Sequence, residues 1–355
     1  MTARAPLAHR SNSLRSAISF GEKLFASAEE RRFGQQLESG LKAVEAGLLR
    51  EMSFGDALAD ATSRYLLDAG GKRVRPTLAL LTAQLGAGNT PQVVVAAQAL
   101  EITHLASLYH DDVMDEATTR RGVPSAHSVW GNSVAILTGD LLFARAGSLI
   151  AGLGSRAIGL QARIFERLCL GQLHETMGPQ PGDDPIEHYI QVLADKTGSL
   201  IAAAAQFGVI FSNAPEEYQQ PMLDFGEKIG IAFQLIDDVI DLSTEETGKA
   251  PGADLRSGVA TLPLLYLRRL ARDDPDAAAL VERIERDVDS SAASNDEADL
   301  LAAIAELREH DVTRATLVEA HRWAREAVEA LEPLPAGPVK KALTRFADTI
   351  VERSS

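Results

Sequence analysis

The chain is poor in cysteine and in cations. Cys169 is the single cysteine among 355 residues, which excludes an intramolecular disulfide and a cysteine-based metal site. Lys and Arg number 35 against 50 Asp and Glu, a formal net charge of −15. A nucleic-acid-binding protein usually carries a dense basic stretch, and the sequence contains none. An acidic protein that binds anions must therefore concentrate its few cations locally.

Long uninterrupted hydrophobic runs are also missing. The uncharged run Thr197 to Pro215 contains glycines and polar residues, so we expect a buried core helix there and not a membrane span. The first 21 residues carry three arginines and no acidic residue. This pattern resembles a transit peptide, but a flexible N-terminal tail over residues 1–30 is the simpler interpretation.

From residue 31 to residue 355 the pattern is that of a single all-helical domain. Apolar residues recur at helical spacing over long stretches without proline, and period-two alternation is rare. The breaks between these stretches are short and contain glycine or proline, too short for an interdomain linker. The acidic segment Asp287–Glu309 is expected to form a solvated loop and helix face. The helical stretches are Phe33–Leu49, Val93–Asp115, Ser133–Leu153, Ile158–Met177, Ile186–Ser212, Pro221–Leu242 and Ala315–Ala330.

An acidic cluster ends one of the most apolar of these helices, at Asp111, Asp112 and Asp115. Residues i and i+4 share a helix face, so Asp111 and Asp115 point the same way. Two carboxylates on one face repel each other, and a hard divalent cation such as Mg²⁺ removes that cost while it also binds substrate phosphates. Taken alone, this motif could equally be an acidic helix end.

The same spacing recurs 126 residues later, at Asp237, Asp238 and Asp241, again after an apolar helix. Acidic residues that alternate with core-type residues are misplaced for a solvated surface. Two such clusters facing each other would form a cleft for several metal ions, so the repetition favours a functional interpretation.

Several cations occupy positions that an anionic ligand would explain. Gly70–Pro76 is a glycine-containing turn with Lys72 and Arg75, and glycines let a backbone approach phosphate. His104 lies seven residues before Asp111 on the same helix face; a satisfied core histidine is an equally good interpretation. The remaining candidates are Arg120 and Arg121 after the first cluster, Lys196 and Thr197 within an apolar helix, and Lys249 in the loop after the second cluster.

Together these blocks resemble the trans-isoprenyl diphosphate synthase (polyprenyl synthetase) family. The matching stretches are GGKRVRP at 70–76, HLASLYHDDVMDEATTRRG at 104–122, GD at 139–140, KTGSL at 196–200, FQLIDDVIDL at 233–242, GKAPGADL at 248–255 and TLPLLY at 261–266. The resemblance implies the all-α isoprenoid synthase fold, with helices surrounding a deep central active-site cavity, and a homodimer. It implies head-to-tail 1′-4 condensation of isopentenyl diphosphate with an allylic diphosphate.

The resemblance also implies roles for individual residues. Asp111, Asp115 and Asp237 would bind Mg²⁺ directly, as three ions once diphosphate is bound, with Asp112, Asp238 and Asp241 supporting them. Arg120, Lys196, Gln234 and Lys249 would face the allylic diphosphate, with Thr197 nearby; Lys196, Thr197 and Gln234 would be catalytic. Lys72, Arg75, His104 and Arg121 would hold isopentenyl diphosphate.

Small residues below the first cluster bear on product length. A growing chain must run away from the aspartates along the helix, past Ala106, Ser107 and Thr103. Short-chain relatives tend to place an aromatic residue at one or both of the first two positions. Some also carry a lysine before the Thr-x-Pro motif, where this chain has Gly258-Val259-Ala260-Thr261. Both departures predict a long-chain product, such as the donor of a menaquinone side chain, made in the cytoplasm with transient membrane contact for release.

Four alternatives remain at this point. Geranylgeranyl diphosphate synthase differs only in product length. A class I terpene cyclase would not need the block at residues 70–76 and usually has a mixed second motif. A regulatory subunit of a two-component synthase typically loses aspartates that are all present here. An acidic helical scaffold leaves the buried-looking charged residues unexplained.

Overall fold

The structure, a computed structural model, describes residues 28–243, 251–289 and 297–352. These residues are almost entirely helical, which confirms the predicted all-α class. Short 3₁₀ turns cover Ala83–Leu85 and Glu216–Tyr218, and a π-helical turn covers Ala194–Gly198. The elements are α1 (Ala28–Glu51), α2 (Ala57–Asp68), α3 (Val74–Thr82), α4 (Pro91–Met114), β1 (Thr119–Arg120), β2 (Val123–Pro124), α5 (Ala126–Trp130), α6 (Asn132–Ala151), α7 (Ser155–Met177), α8 (Pro185–Leu193), α9 (Ser199–Phe211), α10 (Gln219–Asp241), α11 (Ala253–Arg256), α12 (Leu262–Leu270), α13 (Pro275–Asp289), α14 (Glu297–Glu309), α15 (Asp311–Glu329) and α16 (Pro338–Val351).

The described residues divide into two compact units. The first unit comprises residues 28–166, 200–226 and 331–345, and the second comprises the described parts of 167–199, 227–330 and 346–352. The predicted N-terminal tail lies outside the described residues apart from residues 28–30, which begin helix α1. The single domain over residues 31–355 stays a prediction.

Helix α4 forms the core of the first unit. Thr90 caps it by accepting a hydrogen bond from the Val93 N–H, and Pro91 opens it, where a missing N–H costs nothing. Its buried residues lie around the whole circumference, from Val93 through Leu100 to Tyr109. A helix that is apolar all round is buried on all sides, and α4 packs against α1, α3 and α6.

Glycines let the helices around α9 pack closely. Gly208 on α9 lies against α3, where a Cβ atom would overlap the carbonyl oxygen of Ala79 and the hydroxyl of Thr82. Gly226 on α10 lies equally close to the backbone of Ala202 on α9. Most of α9 is buried, which confirms the prediction of a core helix within residues 197–215.

A two-residue hairpin follows the first aspartate cluster, and the sequence patterns did not reveal it. Strands β1 and β2 pair antiparallel, with Arg120 opposite Val123. The two turn residues, Arg121 and Gly122, have φ of 54° and 75°. Positive φ at both central positions is the turn geometry that matches the twist of paired strands, and glycine at the second position favours it. The hairpin therefore fixes the positions from which the side chains of Arg120 and Arg121 extend.

The acidic segment Asp287–Glu309 is only partly a solvated surface. Helix α14 buries Leu300, Ala303, Ile304 and Leu307 in the core of the second unit, against residues of α12 and α13. The apolar residues recur every three or four positions beneath the acidic ones, so the expectation of a solvated face missed a core-facing stripe. Residues 290–296 lie outside the described residues.

Helix α6 is long and apolar enough to cross a membrane by length and composition alone. Core helices of soluble proteins pass the same test, so the observation is weak. Leu137 and Ile136 on this helix are 65% and 41% exposed, and the ring of Phe143 packs on that of Phe165 from α7. The sequence pattern did not indicate this exposed apolar face.

Replacing Gly208 with Ala tests the close packing of α9 on α3. The added methyl group must displace backbone, so we expect the free energy of unfolding to fall by about 1–3 kcal/mol in chemical denaturation. Gly159 on α7 is the matched control, because a Cβ there meets only the end of the Arg163 side chain at 3.8 Å. Gly159→Ala should be neutral or stabilise by up to about 1 kcal/mol. Equal stabilities of the two variants would contradict this packing.

Candidate active site

The first aspartate cluster lies at the C-terminal end of α4. The helix ends at Met114, and the Asp115 N–H donates to the Asp111 carbonyl at 2.8 Å. This last helical turn keeps Asp111 and Asp115 on one face, as the spacing predicted. Asp111 is half-buried and Asp115 is exposed. Both are therefore open to a ligand.

Asp112 points into the protein. It is fully buried, and its Oδ1 accepts a hydrogen bond from Arg120 Nε at 2.6 Å. Burial raises the pKa of this carboxyl, and the neighbouring Arg120 guanidinium opposes the rise. Asp112 Oδ2 is buried and has no hydrogen-bond partner among the described residues. Arg120, predicted to face the allylic diphosphate, is thus held beside the first cluster.

A basic cluster, consisting of Arg73, Arg75, His104 and Arg121, surrounds one face of α4. Burial lowers the pKa of His104 well below its ordinary value, and the charges of Arg75 and Arg121 add to that effect. The imidazole is therefore neutral at pH 7. Burial also lowers the pKa of Arg75, whose Nε has no hydrogen-bond partner among the described residues. Three of the predicted isopentenyl diphosphate ligands thus come together, while Lys72 is exposed nearby in sequence.

The hairpin turn directs Arg121 into this cluster. Its Nη1 donates to the carbonyl oxygen of Leu66 at 2.7 Å and to that of Gly70. Burial lowers the pKa of Arg121 to about 10, with the repulsion of the other arginines opposed by the nearby Glu101. Holding several guanidinium groups close together costs desolvation free energy. An anion such as diphosphate would stabilise this arrangement.

Sequence inspection missed the residues that hold the cluster in place. Arg73 is buried, adopts φ of 51° before α3, and pairs with Glu45 at 2.5 Å and Glu101 at 3.3 Å. Its Nη1 also donates to the Gly70 carbonyl. Glu101 lies three residues before His104 in an otherwise apolar helix, and that misplaced charge was the available signal.

The second aspartate cluster closes α10, which ends at Asp241. Asp237 and Asp241 are half-buried and share a helix face, whereas Asp238 is buried. Asp238 Oδ2 accepts a hydrogen bond from the hydroxyl of Tyr189 on α8 at 2.7 Å. Burial raises the pKa of Asp238 to about 8. Its Oδ1 is buried without a hydrogen-bond partner among the described residues, although the Leu262 N–H lies near the carboxyl and favours its charged form.

Asp241 also anchors the chain that follows the cluster. Its carbonyl oxygen accepts from the Gly252 N–H at 2.8 Å, and its Oδ2 accepts from the Asp254 N–H at 3.1 Å. Lys249, predicted to contact the allylic diphosphate, lies outside the described residues. These contacts of Asp241 join the end of α10 to the start of α11.

The predicted catalytic residues lie at a break in helical geometry. Lys196 and Thr197 belong to the π-helical turn between α8 and α9, and such turns are frequent at functional sites. Lys196 Nζ pairs with Glu175 of α7, a partner that the sequence did not indicate. The Thr197 hydroxyl lies 3.5 Å from Gln234 Oε1 on α10. The structure thus brings Thr197 and Gln234 together.

The three predicted chain-length residues lie on α4 in different environments. Ser107 is half-buried and occupies the position four residues before Asp111, on the same face. Thr103 is fully buried one turn further, and its hydroxyl accepts from Gln161 Nε2 of α7 at 3.1 Å. Ala106 is fully buried, and its carbonyl oxygen lies close to Gly139 on α6. Ser107 is therefore the partly exposed member of this set.

The carboxylates suit Mg²⁺ bound together with phosphate. Both clusters end their helices, where the macrodipole is negative and adds to the repulsion between carboxylates. Within the described residues, no group of three or more His, Cys, Asp or Glu side chains is close enough to hold a metal ion alone. Mg²⁺ uses one or two carboxylates, waters and substrate phosphates. The buried partnerless oxygens of Asp112 and Asp238 are hard donors of the same kind.

Comparisons with known proteins agree with this chemistry. Residues 56–301 match the family described as polyprenyl synthetase. The chain is 40% identical over 339 residues to nonaprenyl diphosphate synthase of Mycobacterium tuberculosis, covering 95% of this chain and 96% of that protein.

Two crystal structures, both complexed with calcium and isoprenyl diphosphate, have the same fold. The polyprenyl synthase of Caulobacter crescentus gives a TM-score of 0.81 at 33% identity, over 92% of this chain and 98% of that one. Geranylgeranyl pyrophosphate synthase of Corynebacterium glutamicum gives 0.78 at 38% identity, over 93% and 99%. The chain therefore has the isoprenoid synthase fold and belongs to the polyprenyl synthetase family of prenyltransferases.

Proposed function

We propose that this prenyltransferase condenses isopentenyl diphosphate with allylic diphosphates, head to tail and in the presence of Mg²⁺, to give a long-chain all-trans polyprenyl diphosphate. The observation that carries the proposal is the pair of intact aspartate clusters at helix C-termini. Each presents two carboxylates on one helix face and buries the third. The similarity to nonaprenyl diphosphate synthase of M. tuberculosis supports the long product.

The family resemblance implies that the aspartates of each cluster bind the allylic diphosphate through Mg²⁺. Asp111, Asp115 and Asp237 are the direct ligands in this proposal, with Asp241 and the two buried aspartates supporting them. When bound, Mg²⁺ neutralises the charge that develops on a departing diphosphate. Calcium in the two related crystal structures is a hard cation of the same kind. Three Mg²⁺ ions are proposed in all. The proposed cationic and polar contacts of the allylic diphosphate are Arg120, Lys196, Gln234 and Lys249.

Isopentenyl diphosphate would bind at the basic cluster. Arg75 offers a buried donor without a partner among the described residues, and Arg121 is oriented by two carbonyl contacts. A neutral imidazole donates one N–H, so His104 can contact a phosphate oxygen without adding a buried charge. Lys72 would close the site from its exposed position. The Arg73–Glu101 pair would keep these groups in place.

The proposed reaction breaks the C1–O bond of the allylic substrate, and diphosphate leaves with the electron pair. The double bond of isopentenyl diphosphate attacks C1 of the allylic cation through its own C4. Loss of a C2 proton to the departing diphosphate forms the new double bond. Lys196 and Gln234 would stabilise charge as the bond breaks, and Thr197 would orient Gln234. Fixed charges and dipoles aimed at the leaving group lower the barrier because they need no reorganisation.

Product length is proposed to depend on the α4 face below Asp111. Ser107 is a small, partly exposed residue on that face, and the contact of Thr103 with Gln161 lies one turn below it. Geranylgeranyl diphosphate synthase is the second candidate, favoured by the similarity to geranylgeranyl pyrophosphate synthase of C. glutamicum. The two differ in where elongation stops. Menaquinone remains the expected use of a long product.

A homodimer is proposed through the exposed apolar face of α6. Leu137 and Ile136 are neighbouring exposed apolar residues on this helix, and Ile158 on α7 is exposed as well. The family resemblance supports the same assembly. Burial of this face in a partner subunit would remove the apolar area from water.

Incubating the purified protein with Mg²⁺, isopentenyl diphosphate and farnesyl or geranylgeranyl diphosphate tests the function and its product length. We expect a ladder of products that ends well beyond geranylgeranyl diphosphate. Ser107→Phe should shorten the ladder, because an aromatic ring would obstruct the proposed path along α4. Ser107→Ala is the control and should leave the ladder unchanged.

A wild-type product no longer than geranylgeranyl diphosphate would select the second candidate. An unaltered ladder in Ser107→Phe would refute the proposed path along α4. The absence of elongation by the wild-type protein would refute the proposed function itself.

Arg75→Lys tests the isopentenyl diphosphate site. Lysine keeps the charge and loses the planar set of donors, so we expect the KM for isopentenyl diphosphate to rise about tenfold or more. The KM for the allylic substrate should stay within about twofold, because only charge-assisted bonds to one substrate are lost. Arg145→Lys, at an arginine that pairs with Glu51 instead, is the control. Equal increases in both KM values would show that Arg75 serves no single substrate.

Leu137→Asp tests the proposed dimer. A charge in an apolar interface is costly, so sedimentation velocity should show a shift from dimer to monomer at micromolar protein concentration. Leu58→Asp is the matched control, because Leu58 is 56% exposed on a different helix. A wild-type monomer, or a Leu137→Asp dimer of unchanged affinity, would refute the interface.

A further inference from the structure

Tyr189 is the polar residue that reaches Asp238 from another helix. Its ring is buried in an apolar group with Leu193, Ile231 and Leu235. Its hydroxyl donates to Asp238 Oδ2 at 2.7 Å. The donor and the acceptor are 49 residues apart in the chain, so the contact depends on how α8 packs against α10. An apolar side chain of similar size would satisfy this packing without the hydroxyl.

Helical geometry explains why Asp238 needs a partner. Consecutive residues differ in direction by about 100°, so Asp238 points away from Asp237, and it is buried whereas Asp237 and Asp241 are half-buried. Its carboxyl group enters the protein, where an unpartnered charge is expensive. The hydroxyl of Tyr189 satisfies Oδ2, and Oδ1 is buried, with the Leu262 N–H near the carboxyl. The carboxyl is thereby held in one orientation.

The first cluster solves the same problem with a different group. There the middle residue, Asp112, is paired with the cation Arg120 at 2.6 Å, which neutralises its charge. Tyr189 is neutral and offers Asp238 a hydrogen bond without a compensating charge. The middle carboxyl group of the second cluster is therefore oriented by a neutral hydrogen-bond donor, whereas that of the first is oriented by a cation.

We propose that Tyr189 is a positioning residue for the second aspartate cluster, and that its hydroxyl sets the affinity of the cluster for Mg²⁺ by fixing the orientation of the Asp238 carboxylate. The inference rests on the proposed function. Hydrogen-bond partners of metal-binding carboxylates orient them and typically change metal affinity or activity about 10–100-fold when they are removed. Tyr189 itself touches neither substrate nor metal.

The test is Tyr189→Phe, which keeps the ring and removes the hydroxyl. The Mg²⁺ concentration for half-maximal elongation should rise about tenfold or more, while kcat at saturating Mg²⁺ falls by no more than a few-fold. Binding of Mn²⁺ in the presence of inorganic pyrophosphate, followed by electron paramagnetic resonance, should weaken by a similar factor. This second measurement does not depend on turnover.

Tyr266→Phe is the matched control. Tyr266 packs against the same apolar group, so the variant loses a hydroxyl from the same core, and its metal dependence should not change. Asp238→Asn and the double variant complete a cycle: the double variant should be no worse than Asp238→Asn, because Tyr189 acts through Asp238. Melting temperatures of all variants separate folding from metal binding.

Two results would overturn the inference. One is a Tyr189→Phe protein whose melting temperature or kcat falls while its Mg²⁺ and Mn²⁺ affinities stay those of the wild type. The other is a double variant with additive losses, which would show that the hydroxyl does not act through Asp238. Failure of the wild-type protein to elongate would refute the proposed function, whereas the Mn²⁺ measurement would still test Tyr189.

Discussion

Negative charge at the C-terminal ends of two apolar helices is the constraint on which the rest of the site depends. The carboxylates of Asp111 and Asp115, and of Asp237 and Asp241, stand where the helix dipole is already negative. Each cluster would be less stable than the same helix with neutral residues. The arrangement is tolerated if a bound ligand supplies the compensating positive charge. In the proposed function that ligand is a metal ion bound together with diphosphate.

The buried middle aspartates make the two clusters differ. Arg120 neutralises the charge of Asp112 within the protein, and the hairpin that follows α4 places Arg120 beside Asp112. Asp238 accepts a hydrogen bond from Tyr189. Among the described residues, no cation lies as close to Asp238 as Arg120 lies to Asp112. The two motifs have the same spacing in the sequence but different electrostatic environments, because the middle aspartate of each contacts a different kind of residue from another element.

The fold class and the aspartate faces could be predicted because they depend on local spacing. The i, i+4 rule places Asp111 with Asp115 whatever packs around them. The partners Arg73, Glu175 and Tyr189 could not be predicted, since each is defined by a contact between distant segments. The core-facing stripe of α14 was not predicted for another reason: Leu300 and Leu307 stand among acidic residues, which are typical of a solvated face. The hairpin was overlooked because its strands are two residues long.

The basic cluster shows how an acidic protein can hold an anion. With a net charge of −15, long-range attraction cannot bring a diphosphate to this surface, so local charge must do so. Burial lowers the pKa values of Arg75 and Arg121, and burial together with the charges of these arginines lowers the pKa of His104. A bound diphosphate would offset the repulsion between the arginines. The desolvation that makes the cluster costly therefore strengthens its interaction with a bound anion.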